Sequence, residues 1–445
     1  MSLGANSIVR WLAGAVCATF YRIDRIGAAP ATGAVIMLPN HPNALLDPAV
    51  IWATAGRDVR FLAKSTLFQT ALRPILAGAG AIPVYRQIDR GVDTSKNAEM
   101  FAAVAAALAE GDAICLFPEG ISHSSGRLES LRTGAARMAL AAEREGTSVA
   151  LVPVGLNFDR KTAFRSRVTV VYGRPFSAAD LLPAPDRDLA PAARALTDRI
   201  AEHMRGLLVE ADPQADAALV DRVDRLYAAA RGRPRDASER LARRRTIAGG
   251  IERLRAGAPD RYDDLLMQIR RYDQRLRRFG IRDRHLDWQT SSSDAVSFAV
   301  RELLFAIVLM PLSALGLVVF FVPYQLTGIA ARLSTKERDV IATAQVLTGA
   351  AIYALWVAAL SAVAGWLWGS GAAIGAALLL PVLAFVALLA LEREAAVLDT
   401  VRAWLLLRRA APHARANLRR HRSELADVLD QVNDWLNAEG QGVPR

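Results

Sequence analysis

Over the first 180 residues, short apolar runs alternate with longer stretches whose apolar positions recur at helical spacing. Ala34 to Leu38, Val59 to Leu62, Ala81 to Tyr85, Ala113 to Phe117, Ala150 to Val154 and Val168 to Tyr172 are too short for independent helices and are bounded by polar or turn-forming residues, so they read as strands. Asn97 to Glu110 and Gly134 to Glu145 read as helices. Such alternation predicts an α/β domain: a mixed, largely parallel sheet flanked by helices. Pro83 cannot donate to a ladder, so the third run is expected to be short or to lie at an edge.

Beyond residue 180 the pattern changes. Asp180 to Asp294 is rich in Ala, Arg and acidic residues at helical spacing, with breaks at Arg231-Gly232-Arg233-Pro234 and Gly257-Ala258-Pro259. This predicts a helical accessory region; the plainer alternative is a solvated spacer whose mixed charges stabilise surface helices. Three uncharged runs follow, Leu303 to Val322, Val346 to Trp368 and Gly371 to Leu391, each long enough to cross a hydrocarbon core ~30 Å thick. Gly369-Ser370-Gly371 is a tight connection that makes the second and third runs a helical hairpin, whereas Pro311 interrupts the first run and Pro323 ends it. Ile8 to Phe20 is also mostly apolar and reads as a membrane-lying helix, with a signal peptide as the alternative. The expected organisation is therefore an N-terminal membrane-associating helix (1–22), an α/β domain (23–178), a charged helical region (179–300), C-terminal transmembrane segments (301–395) and a basic amphipathic tail (396–445).

Charge refines this picture. The chain carries a formal +11, and its basic residues are four Lys and fifty-one Arg. No nucleic-acid motif accompanies that balance and the aromatics are not interleaved with the charges, so an anionic membrane surface is the expected partner and nucleic acid is not. Arg-rich segments lie on both sides of the apolar runs, with seven Arg and no acid from Val401 to Ser423. Positive-inside counting then keeps both flanks cytoplasmic, which favours one spanning hairpin with a re-entrant first segment over three crossings. Two cysteines, Cys17 and Cys115, make no disulfide framework.

The chemistry concentrates at the carboxyl ends of the expected strands, where ligands of open α/β sheets collect. Asn40-His41-Pro42-Asn43-Ala44-Leu45-Leu46-Asp47-Pro48 follows the first run and offers an imidazole with a carboxylate to orient it. On this segment alone, Asp47 also reads as a helix N-cap with Pro48 at the first helical position. Later ends add Lys64, Arg86, Glu119 with His123 and Arg127, and Asn157; Asn157 and Lys161 carry little weight. A base, a carboxylate and several cations on one edge suit a phosphate-bearing substrate whose hydroxyl is to be deprotonated.

Asn40-His41 through Asp47-Pro48, Gly80 to Arg86, Phe117-Pro118-Glu119-Gly120 and Val152-Pro153-Val154-Gly155 resemble, in order, the four motifs of the phospholipid/glycerol acyltransferase family. The resemblance covers roughly residues 20 to 180. Flanking residues, among them Phe61-Leu62-Ala63-Lys64 and Ser122-His123-Ser124, look like the branch that acylates glycerol-3-phosphate or dihydroxyacetone phosphate.

The resemblance implies the glycerolipid acyltransferase fold and a transfer from an acyl thioester, carried by coenzyme A or acyl carrier protein, to a glycerol-phosphate hydroxyl. No cofactor or metal is required. By the same resemblance His41 and Asp47 are catalytic, Lys64, Arg86, Glu119, Gly120 and Arg127 bind substrate, and Asn40, Pro118 and Pro153 support the motifs. The setting implied is an integral membrane protein with its catalytic domain on the cytoplasmic face, the inner or plasma membrane if bacterial. A 1-acylglycerol-3-phosphate acceptor is the neighbouring alternative. A non-catalytic scaffold that binds anionic lipid is the alternative of another class, as is a metal site built from Glu119 and His123 with the His41–Asp47 pair. Five residues separate His41 from Asp47, one more than the usual family spacing, and neither spacing aligns the two on a helix of 3.6 residues per turn. The pair therefore has to meet across a non-helical turn.

Overall fold

The computed structural model describes residues 14–70, 73–86, 95, 97–161, 163–211, 216–286, 310–330, 341–387, 389 and 412–441. Residues 8–13 of the N-terminal apolar run, 303–309 of the first long run, 388, 390 and 391 of the third and 394–411 of the tail lie outside the described residues. Two compact units emerge. One comprises residues 1–218, 235–248 and 337–343, and the other 219–234, 249–336 and 344–445.

In the first unit a helix, α1 (residues 14–20), leads into β1 (Tyr21–Ile26), β2 (Val35–Pro39), α2 (Leu46–Thr54), β3 (Val59–Lys64), α3 (Arg73–Gly78) and β4 (Ile82–Val84). There follow α4 (Asn97–Ala109), β5 (Ala113–Cys115), α5 (Gly134–Arg144), β6 (Ala150–Phe158), β7 (Ser166–Tyr172) and α6 (Ala190–Arg205). The strands form one sheet in the order β1-β7-β6-β2-β5-β3-β4, parallel throughout except for the antiparallel β6–β7 pair. The mixed, mostly parallel sheet flanked by helices is the architecture that the alternating pattern predicts.

All six expected strands are present within a few residues of their expected ends. β1 is additional. Its sequence Tyr-Arg-Ile-Asp-Arg-Ile alternates apolar and polar over the first four residues only, and three charges in six residues mask the strand. β4, holding Pro83, is three residues long and lies at the sheet edge, as a strand that lacks one donor must. Pro153, by contrast, stands inside β6. Its carbonyl accepts from Gly173 N–H at 2.9 Å, just beyond the end of β7, and the pairing shifts register by one residue between Val154–Tyr172 and Leu151–Phe176, so the missing donor falls at an irregularity of the ladder.

The buried strands are near-continuous apolar runs, as expected where both faces of a parallel sheet are covered. Ile36, Leu38, Ile114 and Leu151 share one face and pack with Val104, Leu108, Ala139, Leu140, Leu196 and Ile200 of α4, α5 and α6. Gly155 allows a close passage of the chain: a Cβ there would lie 2.7 Å from the Leu207 carbonyl oxygen.

The second unit is helical. After α7 (Ala217–Arg231) and α8 (Ala237–Gly257), which begin in the first unit or run out of it, come α9 (Pro259–Arg278) and α10 (Asp283–Leu286). α7 and α8 end at the two predicted breaks. α14 (Pro412–Gln441) packs Leu418 and Leu425 with Leu226, Tyr272 and Leu276. Among the described residues, three helices are long and apolar enough to cross a membrane: α11 (Met310–Ala330), the 348–368 part of α12 (Ile341–Trp368) and α13 (Ser370–Ala387). Val318 (76% exposed), Leu355 (71%) and Trp366 (85%) show that these are not core helices. α12 and α13 are joined through Gly369, and Gly365 approaches Ala373 closely. α11 differs from expectation in running on past Pro323 to Ala330. Pro323 leaves the Val319 carbonyl without its helical donor, and the Trp356 indole N–H of α12 donates to that carbonyl at 2.9 Å.

Candidate active site

β2, β3, β4, β5 and β6 run the same way, so their carboxyl ends share one edge of the sheet. β1 and β7 run oppositely and bring their first residues, Tyr21 and Ser166, to that edge. His41 stands two residues beyond the end of β2 and stacks on Phe117, which follows β5, with ring centroids 3.9 Å apart. The chain then turns through Ala44, whose φ of +44° is in the left-handed region, and enters α2 at Leu46. That turn accommodates the additional residue between His41 and Asp47. It also revises the capping alternative: Leu45 holds the N-cap position without a side-chain bond, and Asp47 lies within the first helical turn.

Asp47 is fully buried, and its Oδ2 lies 2.9 Å from His41 Nδ1 while also accepting the Asn43 N–H at 2.7 Å. Burial raises the Asp47 carboxyl above its ordinary range; the His41 hydrogen bond, the Asn43 N–H and the charge of Lys161 act against that rise. An ionised carboxylate only accepts, so this contact places the imidazole proton on Nδ1 and leaves Nε2 as an acceptor. Burial likewise raises the thiols of Cys17, to about 12, and of Cys115, keeping both poor nucleophiles.

Glu119 is buried, and its carboxylate organises the same loop. Oε1 accepts the His41 N–H at 2.7 Å, and Oε2 accepts the Glu129 N–H at 2.9 Å and contacts His123 Nε2. His123 returns its own N–H to the His41 carbonyl at 3.1 Å. Arg86 Nη1 donates to the Gly120 carbonyl at 2.7 Å, and Gly120 has φ +77°, a conformation suited to glycine. Lys64 ends β3 on this edge, half-buried, while Arg127 is exposed. Asn40 extends the sheet past the end of β2, its side chain accepting from Leu156 N–H at 2.7 Å and donating to Leu156 O at 3.2 Å. Pro118 offers its carbonyl to Arg132 N–H at 2.7 Å. Among the described residues no group of three or more His, Cys, Asp or Glu gathers as metal ligands would.

Three residues of the site carry little signal in the sequence. Tyr21 lies beneath the loop, accepting from Asn43 Nδ2 at 2.7 Å and donating to the Lys161 carbonyl at 2.5 Å. Phe117 supplies the ring under His41. Lys161 does have a trace: a Lys in a chain that otherwise uses Arg for nearly every cation.

Residues 22–157 match the Acyltransferase family model. They form an acyltransferase-family domain. Over 128 residues the chain is 32% identical to glycerol-3-phosphate O-acyltransferase 1 of Saccharomyces cerevisiae, covering 27% of this chain and 16% of that protein. It is 38% identical over 81 residues to glycerol-3-phosphate O-acyltransferase 2 of the same yeast, covering 18% and 11%. An uncharacterized acyltransferase of Schizosaccharomyces pombe is 30% identical over 126 residues, covering 27% and 18%. The chain thus spans less than a fifth of the length of these relatives. The crystal structure of the 1-acyl-sn-glycerophosphate (LPA) acyltransferase of Thermotoga maritima aligns with a TM-score of 0.33 and 16% identity, covering 45% of this chain and 77% of that one. Within the acyltransferase domain, all ten residues marked by the sequence lie at or next to the shared strand edge except Pro153, which is inside β6, and the exposed Arg127.

Proposed function

We propose that this chain is a membrane-bound acyltransferase that moves a fatty acyl group from an acyl thioester to the hydroxyl of glycerol-3-phosphate or dihydroxyacetone phosphate in phospholipid synthesis. The observation that carries this reading is the His41–Asp47 contact on a buried carboxylate at the strand edge. His41 Nε2 takes the hydroxyl proton as the alcohol oxygen attacks the thioester carbonyl. Collapse of the tetrahedral intermediate breaks the carbon–sulfur bond, and the departing thiolate takes the proton back from Nε2. Asp47 holds the ring in the working tautomer and steadies the imidazolium between the two transfers. Arg86 and Lys64, with Arg127 at the rim, supply cations for the acceptor phosphate, Arg86 through whichever guanidinium donors its Gly120 bond leaves. Glu119 and Gly120 shape the floor against which the glycerol phosphate lies.

The names of the yeast relatives support the glycerol-3-phosphate acceptor, and the three apolar helices support a membrane setting. The donor is coenzyme A or acyl carrier protein. Anionic lipids hold the Arg-rich flanks, so the catalytic unit faces the cytoplasm. The decisive experiment offers detergent-purified protein one labelled acyl thioester and a panel of acceptors: glycerol-3-phosphate, dihydroxyacetone phosphate and 1-acylglycerol-3-phosphate. Acceptor-dependent release of free thiol with glycerol-3-phosphate or dihydroxyacetone phosphate is expected. Lipid binding without thiol release from any acceptor would make the chain a scaffold. Orientation is read from single cysteines at the exposed Ser238 and Ser370, which should react with an impermeant thiol reagent from opposite faces.

A further inference from the structure

The turn joining β6 to β7 lies beyond the fourth motif, yet it contributes the side chain around which the His41 loop is assembled. Lys161 Nζ donates to the Pro42 carbonyl at 3.1 Å and to the His123 carbonyl at 3.3 Å, and reaches Ser124 Oγ at 3.4 Å. Pro42 is the residue after His41, and His123 is the residue whose N–H binds the His41 carbonyl. One ammonium group therefore joins the two turns that bracket the imidazole.

Lys161 is itself held in place. Its carbonyl accepts the Tyr21 hydroxyl, Tyr21 accepts from Asn43, and Asn43 N–H binds Asp47, so contacts run from Lys161 back to the dyad. At the start of the same turn, Asp159 receives Arg240 Nη2 of α8 at 2.5 Å, and its N–H binds the Arg167 carbonyl at 3.0 Å. Lysine chemistry suits the task. Three donors on a compact ammonium diverge towards two separate carbonyls and a hydroxyl, which the planar fork of Arg does not do from one point.

We infer that Lys161 is a positioning residue for the His41–Asp47 pair: its ammonium fastens the turn bearing His41 to the turn bearing His123 and brings a positive charge to the loop that holds the pair. The inference rests on the reading of His41 as the general base. The groups facing His41 are Asp47 from α2, Glu119 and His123 from the loop after β5, and Lys161 from the β6–β7 turn, with Tyr21, Cys17 and Cys115 the further titratable groups around Asp47. Removing the cation leaves less to oppose a proton on His41. The protonated ring is favoured, and the acid limb of the pH profile moves to higher pH.

The test uses full-length protein in detergent, with Lys161→Met, Lys161→Gln and Lys161→Arg. Lys161→Met is expected to lower kcat ~10- to 100-fold through misplacement of the base, with little change in either KM, and to shift the acid limb upward. Lys161→Arg should restore the position of the limb but only part of kcat. A second readout needs no turnover: carbethoxylation of His41 by diethyl pyrocarbonate, mapped by mass spectrometry against pH, should show the same upward shift in the Met variant and its reversal in the Arg variant. Lys161→Gln, neutral but still a donor, takes the place of the Met variant should that one fail to fold. A folded neutral variant with wild-type kcat and an unmoved carbethoxylation midpoint overturns the inference. Absence of acyl transfer in the wild-type protein overturns the proposed function instead, and the carbethoxylation midpoint still decides Lys161.

Discussion

In the α/β unit, Asp47 is buried with one imidazole as its ion-pair partner; in the helical unit, Arg222 lies between two carboxylates. Arg222 bonds Asp273 at 2.6 Å and Asp283 at 2.7 Å, and Asp283 also accepts the Tyr272 hydroxyl at 2.7 Å. The cluster joins α7, α9 and α10. At the His41 loop the turn through left-handed Ala44 sets the imidazole 2.9 Å from Asp47 Oδ2, while the second oxygen, Oδ1, is buried without a hydrogen-bond partner. Both clusters keep one buried polar atom without a hydrogen bond, Asp47 Oδ1 and Arg222 Nη2; what separates them is the partner, two carboxylates that tie helices together at Arg222 and a histidine, able to carry a proton, at Asp47.

The comparison breaks first at His41. His41→Ala is expected to cost ~10²- to 10⁴-fold in kcat in a protein that still folds, since a proton acceptor goes, with a lowered melting temperature from the lost Phe117 stack and the stranded Asp47. Acyl transfer at near-normal rate would remove His41 from the chemistry. Asp47→Asn comes next. Kinetics should show a fall of similar order, since the amide no longer selects the tautomer with Nε2 free. Calorimetry should show little destabilisation, because burial already disfavours the Asp47 charge. Full activity with a lowered melting point would make Asp47 a structural residue like Arg222.

Arg222→Leu sharpens the other side. Stranding Asp273 and Asp283 should destabilise the helical unit by ~3–5 kcal/mol in chemical denaturation, with thiol release per folded molecule unchanged. A kcat loss in the folded variant would couple the cluster to the site. Arg86→Lys is expected to raise the KM for the phosphorylated acceptor ~10-fold and that for the thioester less, as an ammonium reproduces neither the fork nor its bond to Gly120. Equal rises would give Arg86 a purely internal role. The smallest effect is Ala44→Gly, which relieves the left-handed φ and should add ~1 kcal/mol of stability without a large change in kcat, offset in part by the added freedom of the unfolded chain.

Strand and helix periods, the three long apolar runs and the break at Gly369 are local signals, set by residues a few positions apart, and each was legible in the sequence. Four short motifs also marked most of the positions that the structure places at or next to one strand edge, among them His41, Asp47, Arg86, Glu119 and Gly120. The sequence did not disclose β1, whose three charges mask the strand, nor the helical path of α11 through Pro323. It left open how His41 reaches Asp47 across five residues. Tertiary structure decides that through a left-handed Ala44, a Phe117 ring and a Glu119 carboxylate drawn from another strand end. Tyr21 and Lys161 show why. The contacts that position a base come from residues 20 and 120 places away along the chain, and only the antiparallel return of β7 and β1 against a parallel sheet brings them to one edge.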